Sequence, residues 1–76
     1  MKVEVRLFAT LKDLLPEDKS VETIELEKGS TVNDIIRYYE VPEMSLIIRV
    51  NGRHASRDKV LSDGDRVGIF PPVGGG

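Results

Sequence analysis

The chain has 76 residues, of which 39% are hydrophobic and 32% are charged, with a formal net charge of −2 and no cysteine. A chain of this length forms one domain that buries about 60% of its unfolded surface, which leaves no room for a second lobe around an active site. The absence of cysteine excludes disulfides, thiolate metal sites and a cysteine nucleophile.

Acidic and basic residues are mixed along the chain, which argues against nucleic acid as a direct partner. Residues 1–48 hold ten acidic and six basic residues, and residues 49–76 hold three and five, so the second part is basic by two. An asymmetry this small is typical of a solvated face. No apolar run approaches the roughly 18 residues that span a bilayer, and a strand pattern begins at once without a secretory signal. We therefore expect a soluble, cytoplasmic protein without membrane contact.

The first part of the chain predicts two strands. Apolar and polar residues alternate over residues 2–8, as in a half-buried strand. The leucine-rich stretch 9–16 predicts a helical turn at the edge of the core. Alternation resumes at Ile24 and Leu26, which predicts a second strand that Lys28-Gly29-Ser30 ends.

A helix is predicted next, from its start signal and its apolar spacing. Thr31 can form a cap with Asp34, three residues on. The apolar residues that follow recur at helical spacing: Val32, Ile35, Ile36 and Tyr39. Pro42 disfavours helical geometry at the residue before it, so we expect the helix to end near Glu40.

The remaining segments predict a hairpin and a last strand. Residues 46–50 alternate as a third strand, and Asn51-Gly52 is a strong two-residue turn into a short strand at 53–55. Asp63-Gly64-Asp65 turns the chain into a final strand over 66–70. The resulting order, β-β-α-β-(short β)-β, predicts an α+β domain over residues 1–70, with one helix packed on one face of a small sheet.

The chain closes with Pro71-Pro72-Val73-Gly74-Gly75-Gly76, which we interpret as an extended, flexible tail over residues 71–76. The prolines favour an extended course at roughly 3.1 Å per residue, so the tail could hold its end about 18–20 Å from the domain. Gly74 and Gly75 carry no Cβ and can enter a narrow channel, while Gly76 leaves its carboxyl carbon open to a nucleophile. The alternative is a frayed end or an appended scar. The stiff Pro-Pro follows the last strand without a polar linker, which favours a functional tail over a frayed or appended end.

No side-chain constellation in the sequence predicts catalysis or a metal site. His54 is the only histidine, and a lone histidine in a hairpin is most simply a surface residue. Asp63 and Asp65 flank a glycine as turn-forming residues rather than as paired catalytic carboxylates. The terminal glycines are no phosphate loop, because no helix follows them. The reactive group is therefore expected to be the carboxylate of Gly76.

Several of these segments together resemble the ubiquitin-like β-grasp sulfur carriers over essentially the whole chain. The closest type is the small subunit of molybdopterin synthase, to which the carriers of thiazole synthesis are related. The resemblance rests on the initial strand, the capped helix, the Asn51-Gly52 hairpin, the turn Leu61-Ser62-Asp63-Gly64-Asp65 and the segment Ile69-Phe70-Pro71-Pro72-Val73 before the glycines. The chain departs from the molybdopterin synthase type in two places, a short segment from Glu40 to Ser45 and a third glycine at Gly74. Related carriers that serve thiazole synthesis or tRNA thiolation, or that conjugate to proteins, are therefore alternatives.

The resemblance implies a ubiquitin-like β-grasp fold with a mixed sheet, and a chemistry at Gly76. An ATP-dependent enzyme of the ubiquitin-activating type would adenylate this glycine, and sulfur would displace AMP to leave a thiocarboxylate. As small subunit of molybdopterin synthase, the chain would then donate sulfur beside a large subunit in molybdenum cofactor biosynthesis. It would bind no cofactor, ATP being used by the activating enzyme, and would itself be a carrier and substrate rather than an enzyme. The rivals are a modifier whose Gly76 forms isopeptide bonds with lysines, and a plain binding domain.

Strand alternation in a β-grasp sheet also predicts a partner interface, because the first and last strands lie side by side and the third flanks the last. The face opposite the helix should carry an apolar centre with an arginine rim, which suits a transient protein interface. Its expected residues are Arg6, Phe8, Ile47, Arg49, Arg66 and Phe70. The alternative is that the two phenylalanines tuck under the 9–16 segment or the base of the tail.

Overall fold

The computed structural model describes residues 1–16 and 20–72, which form a five-stranded mixed sheet with one α-helix. The strands lie in the order β2-β1-β5-β3-β4; β1 and β5 are parallel, and the other neighbouring pairs are antiparallel. The predicted α+β class and order of elements are confirmed. The elements are β1 (Lys2–Leu7), a 3₁₀ helix (Ala9–Leu14), β2 (Val21–Glu25), α1 (Val32–Tyr38), β3 (Ile47–Val50), β4 (Arg53–His54) and β5 (Arg66–Phe70).

The core lies between α1 and one face of the sheet. Val32 and Ile35 of the helix are fully buried, as are the inward residues Val5 and Val67 at the centre of the sheet. Each side chain of this kind contributes roughly 1.5–3 kcal/mol when it leaves water. The helical stripe is therefore confirmed, and the opposite face of the sheet is left uncovered by the helix. The buried core consists of Val3, Val5, Leu7, Leu11, Leu15, Ile24, Val32, Ile35, Ile36, Tyr39, Val41, Ile48, Val50, Leu61, Val67 and Ile69.

The start of α1 follows the predicted cap. The carboxylate of Asp34 accepts the backbone N–H of Thr31 at 2.8 Å, and the Thr31 hydroxyl lies 3.4 Å from the same oxygen. A carboxylate in the first turn also favours the positive end of the helix dipole. The predicted Thr31–Asp34 cap at the start of the helix is therefore confirmed.

The helix ends at Tyr38, two residues before the predicted position at Glu40. Glu40 adopts a positive φ of 53°, and its N–H donates to the Arg37 carbonyl at 3.1 Å. The Val41 N–H donates to the Ile36 carbonyl at 3.0 Å, which completes a Schellman motif. The left-handed residue, rather than Pro42 alone, stops the helix.

Several strand boundaries also differ from prediction: β4 ends at His54 rather than at residue 55, and β2 ends at Glu25, before Leu26. The first strand ends at Leu7 rather than Phe8, because Ala9 has a φ of 54° and turns the chain into the 3₁₀ helix. The third strand begins at Ile47, while Leu46 packs half-buried against the core. The Asn51-Gly52 turn has positive φ at both residues, 53° and 82°, as a primed hairpin turn requires.

The prediction for the tail falls mostly on residues that the structure does not describe. Pro71 and Pro72 follow β5, the first half-buried and the second exposed. Gly74, Gly75 and Gly76 lie outside the described residues, and the division into a domain at 1–70 and a tail at 71–76 stays a prediction.

In residues 1–16 and 20–72, no helix has both the length and the apolar character that crossing a membrane requires.

Candidate partner interface

The uncovered face of the sheet is built around Gly68, at the centre of β5. The backbone register places Gly68 beside Arg6 of β1 and beside Arg49 of β3. Arg66 lies two residues earlier on the same strand and therefore on the same face. Three cationic side chains thus surround one position without a side chain.

Two aromatic rings cover this position from the other end of the strand. The rings of Phe8 and Phe70 are stacked, with centroids 4.1 Å apart and planes at 5°. A Cβ on Gly68 would lie 3.4 Å from Phe8 Cε2 and 3.5 Å from Phe70 Cε1, so both rings reach over the glycine. The absence of a side chain at residue 68 allows the ring pair to lie close to the sheet.

The structure brings five of the six predicted interface residues to one shallow cavity of about 290 Å³: Arg6, Phe8, Arg49, Arg66 and Phe70. Ile47 does not line it; it pairs in register with Phe70 and lies half-buried beside it. Both phenylalanines are half-buried and line the cavity, so they present part of their surface to solvent rather than tucking away entirely.

The charge on this face is positive. Arg6 lies 3.8 Å from Glu4 through its Nε, in an exposed pair that is worth little in water. Arg49 and Arg66 form no ion pair with any residue in the described ranges. Because a Debye length is about 8 Å at physiological salt, this rim acts on a partner at short range.

The sequence-based interface leaves out Gly68, which lines the same cavity. Strand alternation puts it on the exposed side, but a glycine adds no contact surface of its own. The signal that could have drawn attention to it is a glycine inside a strand, which often marks a close approach of neighbouring groups.

The remaining candidates for side-chain chemistry have structural explanations. The Asp63 carboxylate accepts the Lys2 N–H at 2.7 Å, and the Asp65 carboxylate accepts the Ser62 N–H at 2.8 Å, so both hold the turn. His54 is exposed on β4, opposite Arg49. Among the described residues, no group of three or more histidine, aspartate or glutamate side chains is placed to hold a metal ion.

One buried ionisable group lies far from this face. Tyr39 packs in the core at the end of α1, and its hydroxyl donates to the Glu22 carboxylate of β2 at 2.5 Å. Burial raises the pKa of the Tyr39 phenol well above its usual value, and the adjacent Glu22 raises it further. This bond joins the helix to the edge strand.

Comparisons with known proteins agree with the fold and with the carrier resemblance. The sequence profile of the ThiS family matches residues 5–76. Small archaeal modifier protein 3 from Haloferax volcanii is 31% identical over 94 aligned positions that cover the whole of both chains.

Two solved structures extend the comparison to three dimensions. A Pyrococcus furiosus protein assigned as molybdopterin converting factor subunit 1 is 36% identical with a TM-score of 0.78, over 95% of this chain and 98% of that one. A chain from the complex of subunits 1 and 2 of the Helicobacter pylori molybdopterin-converting factor is 26% identical with a TM-score of 0.65, over the whole of both. The ubiquitin-like β-grasp fold of sulfur carriers is thereby confirmed for this chain.

Proposed function

The chain belongs to the ThiS family, and we propose that it carries sulfur as a thiocarboxylate on Gly76 and donates it as the small subunit of a molybdopterin synthase. The observation that carries this proposal is the extent of the family match, which runs from β1 through all three terminal glycines. Its similarity to a molybdopterin converting factor subunit 1, at 36% identity over nearly the whole of both chains, supports a molybdopterin precursor as the sulfur acceptor.

A carboxylate is a poor electrophile, so the proposed cycle begins with activation by a partner enzyme. An adenylating enzyme of the ubiquitin-activating type joins the Gly76 carboxylate to AMP from ATP and releases pyrophosphate. A sulfur nucleophile then displaces AMP. Glycine suits this position because a side chain would crowd the carbon under attack. A side chain at residue 74 or 75 would obstruct a narrow channel leading to the active site of the activating enzyme.

The face around Gly68 is the proposed docking surface for the activating enzyme and for the large subunit. Its apolar centre and cationic rim have the anatomy of a transient protein interface. The stacked rings of Phe8 and Phe70 supply rigid apolar area, and arginines at the rim supply charge-assisted hydrogen bonds. The Helicobacter pylori neighbour was solved as a complex of two subunits, which supports a large-subunit partner here.

The second candidate is a protein modifier, and it is favoured by the similarity to small archaeal modifier protein 3. Both functions begin with the same adenylate, and they diverge in the nucleophile that attacks it. A sulfur donor yields a thiocarboxylate, whereas a lysine amine yields an isopeptide bond.

The test is to recover the protein from its own cells with an affinity tag at the N-terminus, leaving Gly76 free. The carrier function predicts that a molybdopterin synthase large subunit co-purifies, and that the pair converts a molybdopterin precursor once the chain is thiocarboxylated. A thiazole synthase or a tRNA thiolase in its place would reassign the acceptor. A ladder of lysine conjugates that disappears on deletion of Gly75 and Gly76 would instead establish the modifier.

A further inference from the structure

A second cavity, of about 560 Å³, is lined by the β3–β4 hairpin and by the chain between β4 and β5. Its lining carries three basic side chains and two hydroxyl groups: Arg53, His54, Lys59, Ser56 and Ser62. All five residues are exposed. The sulfur-carrier cycle uses none of them.

The basic groups of this pocket are not neutralised by the rest of the described chain. The ion pairs in residues 1–16 and 20–72 are Arg6–Glu4 and Arg37–Asp34, so neither Arg53 nor Lys59 is paired. The one carboxylate in the lining belongs to Asp65, which leaves one net positive charge before His54 is counted.

The Asp65 carboxylate is already engaged in the frame of the pocket. One oxygen accepts the Ser62 N–H at 2.8 Å, and the other accepts the side-chain amide of Asn51 at 2.9 Å. It therefore ties the hairpin to the 63–65 turn. The side chains of Arg53 and Lys59 make no hydrogen bond or ion pair with the part of the chain that the structure describes, so their donors can face a ligand.

The backbone that carries these donors is fixed at several points. The Ala55 N–H donates to the Ile48 carbonyl at 3.0 Å, which holds the segment after β4 against the sheet. The Lys59 carbonyl accepts the Val32 N–H at 3.1 Å, and the Leu61 N–H donates to the Ser30 carbonyl at 2.9 Å. The loop is thus anchored to the start of α1, so a ligand would not have to order its backbone.

We propose that this pocket binds the phosphate group of a small anionic ligand. Guanidinium, ammonium and hydroxyl donors together match the three acceptor oxygens and the charge of a phosphate. The volume lies within the range of about 300–1,000 Å³ that small-molecule sites occupy. This binding site is a separate proposal from sulfur transfer, and its test does not depend on the chemistry at Gly76.

The experiment is a titration of the intact, uniformly ¹⁵N-labelled chain with inorganic phosphate at constant ionic strength, observed by amide chemical shifts. Sodium chloride and hexaglutamate are titrated in parallel. The variants are Arg53→Gln and Lys59→Gln, and Lys28→Gln is the matched control, because Lys28 is exposed and lies outside the pocket. Because each substituted residue is exposed, we expect every variant to fold. Unchanged amide shifts away from the substituted residue verify this.

The proposal predicts saturable shifts at the amides of Ala55, Ser56 and Lys59 with phosphate but not with chloride. Arg53→Gln and Lys59→Gln should each weaken the affinity about tenfold, and Lys28→Gln should leave it unchanged. Shifts that fail to saturate, or that survive both substitutions, would overturn it. Saturation by hexaglutamate alone would also overturn it, in favour of an acidic peptide.

Discussion

The ring of Phe8, just after β1, lies 4.1 Å from the ring of Phe70, the last residue of β5. The two residues are far apart in sequence, and the parallel pairing of β1 with β5 brings them together. Phe70 is followed directly by Pro71, so the stacked pair marks the point where the chain leaves the sheet. The proposed docking surface and the proposed tail therefore meet at this pair.

Phe8→Ala should weaken binding to the activating enzyme and to the large subunit. Loss of an aromatic anchor typically costs on the order of 1–2 kcal/mol or more, which calorimetry would record as a roughly 5- to 30-fold loss of affinity or more. The stacked pair itself contributes about 0.5–1.5 kcal/mol to folding, so the variant should stay folded. The matched control is Tyr38→Ala, which removes an aromatic ring that is 57% exposed on α1. Equal affinities for both variants would place the interface elsewhere.

Charge reversal of the rim should act through electrostatics. Arg49→Glu and Arg66→Glu each remove a cation that forms no ion pair within residues 1–16 and 20–72, and put a carboxylate in its place. We expect slower association with the activating enzyme, and the defect should shrink as salt rises because the charges are solvent-exposed. Stopped-flow association rates measure this, with Lys28→Glu as the control at an exposed residue outside the surface. A salt-independent defect, or an equal one in the control, would contradict the proposed rim.

Glu40→Gly should stabilise the domain. Glu40 holds a φ of 53° at the end of α1, where glycine escapes the steric cost of a Cβ. The net gain should be about 0.5–1 kcal/mol, or about 2–8 °C in Tm for a domain of this size. Glu43→Gly is the control, since Glu43 is exposed and has no positive φ. A loss of stability in Glu40→Gly as large as that in the control would refute this explanation of the helix end.

Tyr39→Phe should reveal a pH-dependent contribution to stability. The Tyr39 hydroxyl donates to the Glu22 carboxylate. Burial is the larger cause, and the nearby carboxylate the smaller, that raises the phenol pKa in the folded state. Its contribution, about 1–2 kcal/mol, is fully present below the usual tyrosine pKa of about 10 and falls as pH rises above it, because the unfolded state then loses its proton first. Urea unfolding at about pH 7 and about pH 11 should show the gap between wild type and variant narrowing. The exposed Tyr38→Phe provides the control, and a gap that stays constant with pH would be inconsistent with the raised pKa.

The parts of the fold that the sequence predicts correctly are those set by local patterns of residues. Alternation around Val5 and Val67, the Thr31–Asp34 cap and the Asn51-Gly52 turn all operate within a few residues, and each is confirmed. The errors fall at the boundaries of elements, and two of them lie at Ala9 and Glu40. Both are non-glycine residues with positive φ, a conformation that residue type alone does not predict.

The candidate interface is readable only in part, because side-chain placement depends on tertiary packing. Alternation puts the two phenylalanines and three arginines on one face, and the cavity gathers them. It does not predict that the rings stack over Gly68 or that Ile47 stays outside the cavity. The pocket beside Arg53 and Lys59 is less visible still, because it forms only when the loop after β4 is anchored to the start of α1.

The most direct test of the central claim is the intact mass of the protein after incubation with its activating enzyme, ATP and a sulfur donor. Sulfur carriage predicts one oxygen-to-sulfur exchange, located in the C-terminal peptide. Gly76→Ala should impair the exchange, and a chain lacking Gly75 and Gly76 should remain unloaded with nearly unchanged thermal stability. A wild-type chain that acquires no sulfur while the adenylate forms, or sulfur found on any residue before the tail, would contradict the claim.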